Sequence, residues 1–325
     1  MSAAPRRTGS ETLPVSRSRG WFASGSVARQ VLTLAAFTWK EGLRRRIIVV
    51  GLVLTLAFVV LYGVGGYFAF KDQTGLGIGQ APAAAQGIVP AGTDLSPLMR
   101  QIAAYEMLSL GIFMASILTV TMLVFSASGM ISGDAENGTI QTIVTRPIGR
   151  YQLLLGRYLG FASIFLAYLF VVTGLLVGLT WAFSGYVPPD PGQAVCLVAL
   201  QGLILLALAS VGTTLLPPLA TGILVFMAYG LAFIAGVVNQ IGTLLANHTA
   251  QMIGTVFSFL VPSDLLFRGG LHDLAPAIPG VLSQFLRAGP FGAPSPVGPG
   301  MLVYCFGYLA VALAVSCWLF ARKDL

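Results

Sequence analysis

The chain has 325 residues, of which 56% are hydrophobic and 9% charged, against about 25% charged in an average soluble domain. Eighteen Lys and Arg with eleven Asp and Glu cannot coat a chain of this length in water, which excludes a soluble globular domain and leaves a membrane protein. The formal charge of +7 fits nucleic acid or anionic lipid, and the positions of the basic residues decide between them.

Residues 1–26 are rich in Ser, Arg and Pro and read as a disordered cytoplasmic tail. No apolar core or small-residue cleavage site follows its arginines closely, so a secretory signal is not expected. Residues 27–46 read as an amphipathic helix: at about 100° per residue, Leu32, Ala35, Trp39 and Leu43 share one side and Arg29, Lys40 and Arg44 another. Such a helix is expected to lie on the inner leaflet; the alternative is that it extends the first span into the cytoplasm.

A membrane span needs about 20 mostly apolar residues to cross about 30 Å of hydrocarbon. Residues 47–70, 108–131, 153–183, 195–216, 219–240 and 301–320 meet that requirement and define a six-helix transmembrane domain over 47–325. The third run is too long to lie wholly in the membrane, so its first turns, with Arg157, are expected to project. Pro217 and Pro218 alone separate the fourth and fifth runs, which predicts a tight hairpin with proline-set helix ends. Between the first two spans, Gly75, Gly77 and Gly79 fail the GxGxxG spacing and follow no strand, so no nucleotide loop is read there. In the outer loop 241–300, Ile253, Val256, Phe257 and Leu260 recur before Pro262 and predict a re-entrant or interfacial helix. A seventh span there would carry Arg322 and Lys323 to the outer side, against the charge rule.

With the N-terminus inside, fourteen basic residues lie on the cytoplasmic side and four outside, so both termini are expected in the cytoplasm. The positive charge is then topology, and no nucleic-acid surface is expected. The fold class is an all-α polytopic membrane protein with six transmembrane helices, an N-terminal interfacial helix and a re-entrant segment between the last two spans. Cys196, Cys305 and Cys317 stand singly, so neither a disulfide framework nor a zinc site is indicated, and no metal is expected.

The spans carry no buried carboxylate, lysine or histidine of the sort an ion-coupled transporter uses. Gln201, Asn239 and Gln240 are expected to serve interhelical hydrogen bonding. GxxxxGK[ST], HExxH and GxSxG are all absent, so neither nucleotide binding nor catalysis is expected of this chain, and no catalytic residue is assigned. Gly156 with Gly160, and Gly174 with Gly178, place small-xxx-small pairs on the third helix, which permits close approach of another helix.

The densest polar signal is the loop 132–150. It reads as a short helix started at Asp134, with acidic charge at its N-terminal end and a stop at Pro147. Ile140, Ile143 and Val144 fall at helical spacing, and the apolar face they form needs a cover. On the residues alone, that cover is either this chain's own bundle and membrane or a partner.

Glu136-x-Gly138-Thr139-Ile140, then Arg146-Pro147-Ile148-Gly149-Arg150, then Leu153-Leu154-Leu155-Gly156-Arg157, resembles the E-x-G-T-[LI], P-[VI]-[SG]-R and LLLGK signature of ABC-2-type permeases, the membrane subunits of bacterial ABC exporters. Arg157 stands where Lys is commoner. Trp39-Lys40-Glu41-x-Leu43-Arg44-Arg45-Arg46 is similar to the family's E-x-[LI]-R-x-R entry to its first span, and Phe320 to Leu325 resembles its F-x-R-[RK]-D-L close. The resemblance implies that Asp134, Glu136, Gly138, Thr139, Ile140, Ile143, Val144, Arg146, Pro147 and Arg150 dock a separate ATPase. It also implies that 241–300 shapes an outer gate. Two ATPase copies would carry ATP and Mg, a second copy of this chain or a related permease would complete the assembly, and the site would be a bacterial plasma membrane. An apolar or amphipathic cargo is expected from the lack of buried charge; the substrate residues are unknown. The alternative is an ATPase-linked scaffold that does mechanical work without passing cargo.

Overall fold

The computed structural model describes residues 25–42, 46–71, 96–128, 150–277, 292 and 296–322. Among them the chain is helical, without strands: α1 (Gly25–Gly42), α2 (Arg46–Lys71), α3 (Ser96–Ser128), α4 (Arg150–Ser184), α5 (Pro191–Leu215), α6 (Pro218–Leu244), α7 (His248–Leu260), α8 (Ser263–Leu274) and α9 (Pro299–Arg322). Six of these, α2 to α6 and α9, are long and apolar enough to cross a membrane. Helices α7 and α8 form a pair bent by 100° at Val261 and Pro262. The tail 1–24 and the loop 132–149 lie outside the described residues.

Burial grades the spans from centre to edge. In the most apolar stretch of α5, 72% is buried, against 17% in α2 and α9. Helix α5 packs on α3, α4, α6, α8 and α9, which makes it the axis of the bundle, while α2 rests chiefly on α3 and α4. Side chains such as Leu205, Leu206, Leu108 and Leu176 are fully buried in this core. The outward faces of α2 and α9 carry Leu56, Leu61, Val303 and Val311, all exposed, as lipid-facing positions are.

Helix ends follow from local chemistry. Helix α4 stops at Gly185, whose φ of 72° suits glycine, and whose N–H donates to the Trp181 carbonyl at 2.8 Å. The α5–α6 hairpin is as tight as two adjacent prolines predict: α5 ends at Leu215, α6 starts at Pro218, and a Cβ on Gly212 would stand 2.6 Å from Thr221 Cγ2. Helix α3 begins at Ser96, three turns before the expected span, so Glu106 lies within the helix and not ahead of it.

Hydroxyl pairs tie the spans together where lipid offers no partner. Tyr62 and Thr180 hydroxyls meet at 2.6 Å, and Thr55 bonds Tyr168, both between α2 and α4. Tyr158 of α4 donates to the Leu203 carbonyl of α5 at 3.0 Å. Gln201 is buried in α5 beside Tyr229 of α6, the interhelical placement expected of it.

The two glycine pairs of α4 have different surroundings. A Cβ on Gly160 would stand 2.5 Å from Thr38 Cβ and 3.0 Å from the Ala35 carbonyl oxygen; one on Gly156 would stand 2.7 Å from Leu34 Cβ. This pair seats α1 on the first turns of α4, backbone to backbone. Thr38 is consequently buried and Leu32, placed by periodicity on the apolar face of α1, is 65% exposed. Gly174 and Gly178 meet nothing within 4 Å. Gly160→Leu should therefore lower stability by about 1–3 kcal/mol through overpacking of the α1 seam, whereas Gly174→Leu should leave it unchanged. Thermal unfolding of the two detergent-purified variants measures the contrast.

Candidate functional site

The stretch expected to dock a partner, Asp134 to Pro147, lies outside the described residues, and Arg150 enters the description only as the first residue of α4. The chemistry the structure does display is concentrated at the bent pair, on the end of the bundle that also carries the α4–α5 connection.

Helix α7 starts with Asn247, whose side-chain oxygen accepts from the backbone N–H groups of Thr249 at 3.1 Å and Ala250 at 3.2 Å. Its apolar stripe faces outward: Ile253, Val256, Phe257 and Leu260 are exposed, while Gly254 and Ser258 are buried. Gly254 lets α7 lie directly on α6, where an added Cβ would stand 2.4 Å from Asn239 Cβ and 2.7 Å from the Ala235 carbonyl oxygen. Asn239 Nδ2 reaches Thr255 Oγ1 at 3.5 Å. The spacing that predicts a helix here is correct in period; small residues, not large ones, make the contact.

After the elbow, α8 turns back into the bundle. Its Gly270 brings it against α5, where a Cβ would stand 3.1 Å from the Ala194 carbonyl oxygen. Phe267 stacks on Phe113 of α3 with centroids 5.8 Å apart, and Phe113 on Phe233 of α6 at 4.7 Å.

Within that packing sits a buried ion pair. Arg268 Nε donates to Asp264 Oδ2 at 2.7 Å, one helical turn away. Arg268 Nη1 donates to Gln240 Oε1 of α6 at 2.6 Å and to the Gly292 carbonyl at 3.3 Å. The Asp264 carboxylate lies flat against Gly236 of α6, where an added Cβ would be 1.7 Å from Oδ2. Asp264 Oδ1 has no hydrogen-bond partner among the described residues. Gln240 thus does the interhelical work expected of it. Asp264 and Arg268 are the buried ion pair that sequence reasoning leaves unremarked; the signal was an acid and a base four residues apart, separated by Leu265, Leu266 and Phe267.

The ends of both short helices are closed by groups from elsewhere in the chain. The Phe259 and Leu260 carbonyls at the end of α7 accept from the phenols of Tyr304 and Tyr308 of α9, the latter at 3.0 Å. At the end of α8, Leu271 accepts from Tyr105 at 3.4 Å, Leu274 from Tyr186 at 2.6 Å and Asp273 from the Asp190 N–H at 3.1 Å.

This geometry defines a class: a six-span membrane protein with a bent, internally locked helical pair ahead of its last span. The family model for "ABC-2 family transporter protein" matches residues 32–325. The chain belongs to that family. It is similar to a probable ABC transporter permease protein NosY of Stutzerimonas stutzeri, 27% identical over 170 residues, which are 48% of this chain and 52% of that protein. A protein of the same name from Pseudomonas aeruginosa is 28% identical over 130 residues, 40% of this chain and 38% of that one. The chain thus spans about half or less of the length of these relatives.

Two outcomes test the site. Burial pushes the Asp264 carboxyl up to about 6, with the Arg268 guanidinium opposing the rise. Since the ordinary value is about 3.9, the folded chain holds this proton more tightly than the unfolded one. Stability from this group is therefore full below about pH 4 and falls by up to about 3 kcal/mol as pH rises to the folded value, then levels. Asp264→Asn should flatten that slope in unfolding midpoints measured from pH 4 to 7. Tyr308→Phe removes the bond to the exposed Leu260 carbonyl and should cost about 0.5–1.5 kcal/mol, read as a lower unfolding midpoint with unchanged helix content.

Proposed function

We propose that this chain is the membrane subunit of an ATP-driven exporter, with both termini cytoplasmic, in a bacterial plasma membrane. Two copies of a separate ATPase subunit hold ATP and Mg, and a second permease chain, identical or related, completes the assembly. The observation that carries this reading is the family match over 32–325 together with six spans. The relatives' names, which call them ABC transporter permeases, support it.

In this reading Asp134, Glu136, Gly138, Thr139, Ile140, Ile143, Val144, Arg146, Pro147 and Arg150 receive the ATPase. Helix α4 starts at Arg150, directly after that stretch, and α1 is keyed to its first turns through Gly156 and Gly160. A push on the docking stretch is thereby delivered to two helices at once. Helix α4 packs on α2, α3, α5 and α9, which offers a rigid route toward the bent pair at the other end. The bent pair is the outer gate, and the Asp264–Arg268–Gln240 contacts hold it to α6. The cargo is apolar or amphipathic: the polar contacts inside the spans are made by hydroxyls such as Tyr62, Thr180, Ser116 and Tyr229.

The test is affinity purification of the tagged chain from its native host in mild detergent, followed by identification of co-purifying proteins and assay of ATP hydrolysis. A stoichiometric ATPase with Walker motifs is expected, and Glu136→Arg or Ile143→Asp should release it while the chain stays folded. Full ATPase recovery with both variants would remove the docking assignment. Reconstituted vesicles that hydrolyse ATP yet move no lipophilic dye would favour a scaffold over an exporter.

A further inference from the structure

We propose that the groove between α2 and α3 is a binding site for one anionic phospholipid, with an acyl chain in the groove and the phosphate on Arg100. The groove encloses 410 Å³ and is walled by Phe58, Tyr62 and Phe70 of α2 and by Met107, Leu110 and Met114 of α3. From Phe58 to Phe70 it runs about 18 Å along the helix, the scale of an extended fatty-acyl chain and about half of the hydrocarbon core. Glycines deepen it: Gly111 has no side chain where the Tyr62 ring lies, and Gly65 opens directly into the space, since a Cβ there meets nothing within 4 Å.

Charge complementarity selects the occupant. On α3, Arg100, Ala103, Met107, Leu110 and Met114 follow one another at spacings of three and four, so the guanidinium heads the same stripe that lines the groove. Arg100 is exposed, and its one hydrogen bond among the described residues runs from Nη2 to the Phe183 carbonyl at 3.1 Å. That bond holds the group one turn beyond Ala103 at the head of the groove, and a guanidinium has further N–H donors with which to bind a phosphate. The ion pairs among the described residues are Arg268 with Asp264 and His272 with Asp273, neither of which includes Arg100. An apolar slot of acyl length under a pinned cation matches a phospholipid of net negative charge, on the leaflet that holds the α2–α3 connection.

The full-length protein, purified in detergent and incubated with equimolar phosphatidylglycerol and phosphatidylcholine, tests this by native mass spectrometry of retained lipid. One phosphatidylglycerol per chain is expected to survive mild activation. Arg100→Gln should reduce the preference for phosphatidylglycerol over phosphatidylcholine by about fivefold, the worth of one basic residue near a lipid headgroup. Gly65→Leu, whose Cβ has open space and whose branch enters the slot, should reduce retention of both lipids by about tenfold or more. Equal retention of the two lipids by the parent protein, or retention unchanged in Gly65→Leu, overturns the proposal. So does displacement in which Gly65→Leu alters only the protease sensitivity of residues 72–95, because the groove then houses the chain's own connection. Retention sensitive to free glycerol phosphate but not to Gly65→Leu would reduce the site to a surface phosphate contact and overturn it as well.

Discussion

A helix that ends away from water leaves up to four carbonyl groups without partners, and each unpaired group in hydrocarbon costs several kcal/mol. The bent pair has two such ends, and much of the bundle's polar chemistry is arranged to meet them. At the end of α8 the carbonyls of Leu271, His272, Asp273 and Leu274 accept, in order, from Tyr105, the Ala275 N–H, the Asp190 N–H and Tyr186. At the end of α7, Tyr304 and Tyr308 perform the same task from α9. The donors come from α3, from the α4–α5 connection and from α9, so the elbow is tied to three separate parts of the fold.

The ion pair adds a different kind of constraint. A buried salt bridge contributes little net stability compared with apolar packing, yet breaking it by removing one partner costs about 3–5 kcal/mol. Asp264 and Arg268 therefore act less as glue than as a register device: Gly236 leaves room for the carboxylate where any Cβ would collide, and Gln240 receives the guanidinium one turn further along α6. An elbow held this way has a single defined seat on α6.

Two glycine seams show how small residues set the geometry at both ends of the bundle. Gly156 and Gly160 bring α1 against α4, and Gly254 brings α7 against α6, each at a distance that any side chain would prevent. The glycines at 174 and 178 share the same spacing and meet no atom of the chain. A small-xxx-small pattern states that close approach is permitted; the arrangement of neighbouring helices decides whether it happens.

The six spans and the all-helical class were legible in the sequence, because hydrocarbon demands about 20 consecutive apolar residues and this demand is written locally. The proline hairpin and the helix before Pro262 were legible for the same local reason. Family membership was carried by the motifs around Glu136 and Arg146, although those residues lie outside the described structure. What the tertiary structure alone decided is which side of each helix faces protein. In α1 and α7 apolar periodicity does not report burial: Leu32 and the stripe from Ile253 to Leu260 point outward while Thr38, Gly254 and Ser258 point inward, because small residues make the close contacts. Asp264 and Arg268 were unremarked in an apparent outer loop because their significance comes from Gly236 and Gln240, which a linear chain places far away and only the folded elbow brings into contact.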